Sequence, residues 1–188
     1  VGSEMCIRDR YRISEDKEKS VRIARNFILG KVYNSRWVLE RAARDYALRL
    51  EVEKIKRKSA FLAQSIVKIR ECESAEELLG IEGEAASVYF SVFDDLILQQ
   101  KTDFYFQGRN KRPPLDSVNA MLSFAYSLLA GMCGSALEAV GLDSYVGFFH
   151  TDRPGRISLA LDLMEEFRSV MAAVSYTHLR AHETGAYL

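Results

Sequence analysis

Two carboxylates stand three residues apart in SLALDLMEEF (158–167): Asp162 and Glu165 share one face of a helix, while Leu159, Leu161 and Leu163 fall elsewhere around it. Like charges so placed repel unless a cation lies between them, and a divalent metal ion is one such cation. Upstream, GFFHTDRPGR (147–156) carries His150 directly after Phe148 and Phe149, on a short glycine-containing loop able to fold back toward that face. Oxygen ligands with one imidazole suit Mn²⁺ or Mg²⁺ better than zinc. The same residues admit a plainer reading, in which Asp162, Glu165 and Glu166 form an exposed acidic patch and His150 is a core histidine. A third carboxylate, Glu82 in GIEGEAASVYF (80–90), is followed by Gly83 and the small residues Ala85, Ala86 and Ser87, a surface that lets another helix approach closely. Glu82 and Glu84 read equally well as first-turn acids favoured by a helix dipole.

The elements that must position these groups are all helical. Val21, Ala24, Ile28 and Val32 recur at three- and four-residue spacing and predict a helix that Gly30 and Asn34 loosen at its end; Val38, Leu39, Ala42, Ala43, Tyr46, Ala47 and Leu50 predict a second. Residues 51–72 predict a third, opened by the basic cluster 54–58. Residues 73–98 predict a short helix, an interruption at Gly80–Gly83 and a longer helix. A proline-containing loop, RNKRPPLD (109–116), then leads into an uncharged run from Ser117 to Leu137. That run is long enough to suggest a membrane span, but Asn119, four serines, two glycines and the lack of a cationic flank beyond Lys111 and Arg112 favour a fully buried central helix, with no membrane involved. A last helix is expected over about 158–167. No segment alternates with period two for more than a few residues, so the fold class is all-α.

Length and composition agree: 188 residues suit one domain, and 48% hydrophobic with 28% charged residues excludes a disordered or fibrous chain. Net charge is zero, yet residues 11–73 hold 16 Lys and Arg against 9 Asp and Glu, and residues 74–173 hold 7 against 14. The basic half can face an anionic partner and the acidic half can hold a cation. Cys6, Cys72 and Cys133 are far apart and match no zinc or disulfide spacing, which fits a reducing, cytoplasmic setting. The ends differ from the interior. VGSEMCIRDR (1–10) and VSYTHLRAHETGAYL (174–188) resemble translated sequencing adapter, so they are set aside together with His178 and His182, leaving residues 11–173 as the expected helical catalytic domain, a fragment.

Three stretches, GIEGEAASVYF, RNKRPPLDSVNAMLSFAYSLL and ALEAVGLDSYVGFFHTDRPGRISLALDLMEEFR, together resemble the helical C-terminal domain of the CRISPR-associated spacer integrase family, CRISPR-associated protein one, from about Tyr11 to Arg168 and most closely in its type I-C branch. The resemblance implies a multi-helix catalytic domain lacking the family's N-terminal β-rich domain. It implies a Mn²⁺ or Mg²⁺ site on Glu82, His150 and Glu165, with Asp162 as a supporting acid. The implied reaction is insertion of short foreign DNA into the CRISPR array: the 3′-hydroxyl of a spacer precursor attacks the repeat backbone in a transesterification. Partners implied are spacer and repeat DNA, a second copy of the chain and a small ferredoxin-like adaptation protein. In that setting Arg41, Arg44, Arg109, Lys111, Arg112, Arg153 and Arg156 become candidate phosphate contacts, although each also reads as part of a solvated face. Asn119 reads as a core polar group, and Trp37 and the tyrosines as packing residues. Two other functions fit the same residues: a non-catalytic helical DNA-binding or scaffold module, and a stand-alone hydrolytic nuclease acting on branched DNA.

Overall fold

A computed structural model describes the backbone of residues 4–110, 112–150 and 153–178, with side chains described between residues 9 and 173. Among these the chain is helical without strands: α1 (Glu4–Glu15), α2 (Lys17–Asp45), α3 (Val52–Glu71), α4 (Ala75–Phe90), α5 (Ser117–Ala139) and α6 (Ser158–His178), with one 3₁₀ turn at Asp94–Leu96. Local chemistry starts three of them. Asp16, Ser74 and Asp116 each turn an extended backbone into a helix and accept from the backbone N–H three residues on, at 3.2, 3.1 and 2.7 Å.

The central element is α2, which packs against α3, α4 and α6, while α5 lies on α6. Its inner stripe, Val21, Ala24, Ile28, Val32, Leu39 and Ala42, is buried against Ile55, Leu62 and Ile69 of α3 and Leu78, Ile81 and Ala85 of α4. Each such aliphatic side chain contributes roughly 1.5–3 kcal/mol on burial. Tyr89, Phe90, Phe93 and Phe106 close one end of this core, with neighbouring ring centroids 5.0–5.9 Å apart. A second cluster, Leu129, Cys133, Leu137, Leu159 and Met164, joins α5 to α6. Cys72 and Cys133 are free and buried, and burial pushes both thiols up, away from the reactive thiolate form.

Four expectations change. The two helices predicted on either side of Gly30 and Asn34 are one helix, α2, because Gly30 is a contact point: a Cβ there would stand 2.8 Å from Cγ of Glu166, and Asn34 Nδ2 donates to the Glu166 carbonyl at 2.8 Å. Gly80 and Gly83 do not interrupt α4, whose backbone hydrogen bonds run through both. Nor is α5 fully buried. Its inner face packs on α6, but Phe124 (68% exposed), Leu128 and Met132 (63%) form an open apolar stripe on the other side. By length and composition α5 would also pass for a membrane span, and it is apolar because its sequence serves both faces. Finally, the last helix, expected over about 158–167, continues to His178.

Candidate functional site

The site is built where the loop before α6 folds back onto it. Ser144 anchors this loop, since its carbonyl accepts from Leu159 and Ala160 N–H at 3.0 and 3.3 Å and so satisfies two of the free donors at the start of α6. Gly147 then passes against the helix so closely that a Cβ would stand 2.6 Å from Cβ of Ser158 and 2.7 Å from the carbonyl oxygen of His150. Only glycine fits there.

This fold-back delivers three consecutive backbone N–H groups to one carboxylate. Phe148, Phe149 and His150 donate to Asp162 at 2.6, 3.0 and 2.8 Å, and His150 Nδ1 lies 2.7 Å from Asp162 Oδ1. Asp162 is wholly buried and saturated. With Nδ1 committed to that carboxylate, Nε2 is the ring nitrogen of His150 left on the side of Glu165. Phe148 and Phe149 pack on the hydrophobic core and hold the loop down.

One helical turn later, on the same face, Glu165 has a different set of neighbours. Nε2 of His150 lies 3.9 Å from its Oε1, Arg168 NH1 lies 3.0 Å from the same oxygen, and Nζ of Lys31 lies 2.6 Å from Oε2. Lys31 also pairs with Glu82 of α4, so one ammonium from α2 joins carboxylates from α4 and α6. Burial alone would push the Glu165 carboxyl up; the cations Lys31 and Arg168 outweigh it and hold the carboxyl below its usual value.

Beside this cluster opens a cleft of about 660 Å³, lined by Lys31, Glu82, Phe106, Arg109, Tyr126 and Arg168 among others. The Tyr126 ring is sandwiched by guanidinium groups, with Arg168 5.1 Å and Arg109 5.5 Å from its centroid. Burial pushes the Tyr126 hydroxyl up, a shift that Arg168 and Arg109 only partly oppose, so the phenol stays protonated. Three cations and a phenol around such a volume suit an anionic group of nucleotide size.

Glu82 on α4 and Glu165 on α6 are therefore linked through Lys31, His150 from the loop before α6 lies beside Glu165, and Asp162 sits behind His150. Two plainer readings fail. Asp162 and Glu165 (2% exposed) form no surface patch, and Glu82 is in the middle of α4, whose first-turn acids are Glu76 and Glu77. The candidate phosphate contacts divide. Arg109 is half-buried and held by Asn119 Oδ1 at 2.7 Å and Ser123 Oγ at 3.3 Å, on the cleft wall. Arg41 and Arg44 pair with Asp45 on the exposed surface, about 15–20 Å along α2 from Lys31. Arg112 and Arg153 are exposed and Arg156 half-buried, while Lys111 lies outside the described residues. Asn119 is fully buried and bonded to Gly108, Arg109, Asn110 and Asp116, as a core polar group. Trp37, read as a packing residue, is instead half-exposed, edge-on to the exposed ring of Tyr33.

Sequence reasoning missed Lys31, Tyr126 and Arg168. Lys31 had a signal: a lysine three residues after Ile28 and four before Ser35, on the buried stripe of α2, needs an acidic partner.

The donor types fit a hard divalent ion. Among the described residues no three His, Cys, Asp or Glu side chains stand close enough to ligate one ion as placed. Lys31 occupies the intervening space. Yet Glu165 Oε2 is buried without an aligned hydrogen-bond donor, its near cation being that ammonium, and Nε2 of His150 lies 3.9 Å from the other oxygen of the same carboxylate. One carboxylate oxygen and one imidazole nitrogen are thus held ready for a cation beside a second carboxylate.

Comparison with known proteins gives consistent results. A model of the family described as CRISPR associated protein Cas1 matches residues 2–182. The chain is 47% identical over 168 residues to CRISPR-associated endonuclease Cas1 1 of Chlorobaculum tepidum, covering 89% of this chain and 49% of that protein. It is 44% identical over 173 residues to CRISPR-associated endonuclease Cas1 of Leptospira interrogans, covering 92% and 68%. It thus spans from about half to two thirds of these relatives. Among solved structures, a casposase bound to integration product superposes with a TM-score of 0.74 at 30% identity, covering 93% of this chain and 46% of that one.

Proposed function

Because the chain belongs to the Cas1 family of CRISPR associated proteins, we propose that it carries the catalytic centre of a metal-dependent DNA integrase of CRISPR adaptation, with Glu82, His150 and Glu165 holding Mn²⁺ or Mg²⁺. The observation that supports this reading is that Lys31 links Glu82 to Glu165, beside which His150 lies, next to a cleft lined by Lys31, Glu82, Arg109 and Arg168. A bound divalent ion would supply charge stabilisation for a phosphoryl centre and a lowered pKa for the attacking hydroxyl.

The residues of the chain supply the rest. Asp162 fixes the His150 tautomer and, through three N–H groups, the position of the loop. Arg109 and Arg168, held against Tyr126, would orient a phosphodiester in the cleft, where rigid cations stabilise developing charge without reorganising. In the reaction the 3′-hydroxyl oxygen of the incoming DNA forms a bond to a repeat phosphorus, the existing P–O3′ bond breaks, and the departing 3′-oxygen takes up a proton, so the number of phosphodiesters is conserved. DNA, a second copy of the chain and a small ferredoxin-like protein are the partners of this cytoplasmic reaction. The likeness to a casposase bound to integration product favours strand joining over hydrolysis.

The intact protein is expected to cut or join branched DNA with Mn²⁺, and Glu82→Ala or His150→Ala to lower the rate by at least about a hundredfold. Labelled substrates resolved by length distinguish joined strands from free ends. Full activity in either variant would refute the assignment.

A further inference from the structure

Lys31 places a partly buried ammonium between the two carboxylates that would receive the metal, with 13% of its side chain exposed. We propose that Lys31 is a built-in counter-cation that occupies the metal position and has to be displaced when a divalent ion binds. This inference rests on the metal-site reading above and adds a competitor to it.

Charge and space both require the competition. Glu82 and Glu165 carry two negative charges, which Lys31 and Arg168 already balance, while Asp162 is occupied by its own N–H donors. A divalent ion added to this set would leave an excess of two positive charges in a buried place. An ion such as Mg²⁺ must also approach carboxylate oxygens to about 2.0–2.1 Å, whereas Nζ of Lys31 is already 2.6 Å from Glu165 Oε2. Two cations cannot share that gap. Arg168 is on the other oxygen of Glu165 and stacked on Tyr126, so Lys31 is the one to leave. Lys31 also lines the neighbouring cleft, which gives its ammonium somewhere to go without unfolding anything. Until then it keeps two carboxylates together that would otherwise repel, so the site stays assembled without metal.

The test is Mn²⁺ binding to the 188-residue chain, followed by calorimetry and by loss of the free-ion EPR signal, with thermal melting measured with and without Mn²⁺. Lys31→Met is expected to bind Mn²⁺ about tenfold more tightly than the unaltered chain, to melt lower without metal, and to recover when Mn²⁺ is added. Should that variant not fold without metal, Lys31→Gln, which keeps donors to both carboxylates but no charge, is expected to show the same tightening. Glu82→Gln combined with Lys31→Met removes one charge of each sign and should restore melting without metal. Equal or weaker Mn²⁺ binding by both Lys31 variants overturns the inference while leaving the metal site standing, provided Glu165→Gln abolishes binding. Absence of Mn²⁺ binding in every chain, Glu165→Gln included, overturns the metal reading and the inference with it.

Discussion

Asp162 and Glu165 occupy the same helix, are both buried, and have opposite surroundings. On the loop side, Asp162 is surrounded by N–H groups that belong to the backbone or to a ring pinned by it. On the cleft side, Glu165 is balanced by the ends of two long side chains, Lys31 and Arg168. Backbone donors cannot leave without unfolding the loop, whereas side-chain cations can be exchanged. A carboxylate of the first kind holds architecture in place; one of the second kind is available for chemistry.

Removing the loop-side carboxylate should break this contrast most severely. Asp162→Ala leaves three backbone N–H groups and the Nδ1–H of His150 buried without acceptors, and is expected to cost about 3–5 kcal/mol in urea unfolding. Gly147→Ala attacks the same side through space, forcing apart the loop and the start of α6; a loss of about 2–3 kcal/mol is expected, with a shifted His150 imidazole resonance in NMR. Glu165→Gln should cost less, about 1–2 kcal/mol at pH 7, and its signature is a changed pH profile. The folded carboxyl is held below its usual 4.5. Its stabilisation is therefore complete above about pH 4.5 and fades as pH falls through the lower folded value, so acid unfolding curves of the variant should be flatter in that range. The smallest effect is expected at Gly30→Ala, where the gain of up to about 1 kcal/mol in helix propensity opposes the clash with Glu166. The single variant should be neutral or slightly destabilised, and adding Glu166→Ala should turn it stabilising by melting temperature.

Much of the fold was legible because its signals are periodic. The apolar spacing of α2 and α3 and the proline-containing lead into α5 gave element type and, for α3 and α5, boundaries within a residue or two. Glycine misled in α2 and α4, since composition cannot distinguish a glycine that ends a helix from one that another helix touches. The donor types of the proposed site, two carboxylates and an imidazole, can be read from the sequence, but the surroundings of each carboxylate cannot. Nothing in the spacing of Asp162 and Glu165 tells which one the loop will saturate, because that depends on how Gly147 passes Ser158. Arg168 and Tyr126 escaped notice for a similar reason: an arginine and a tyrosine at ordinary helical positions acquire a role only when a cleft forms between their helices.

The unbroken course of α2 bears on how quickly the charge at the site can be exchanged. A helix of 29 residues is a strut about 43 Å long, and Lys31 is planted near its middle, flanked by Ile28 and Val32, both clamped in the core. The strut cannot bend there to carry the ammonium away. Exchange is left to rotation of the four-carbon arm of the lysine once its two ion pairs part, so the frame around the site keeps its shape while its occupant changes.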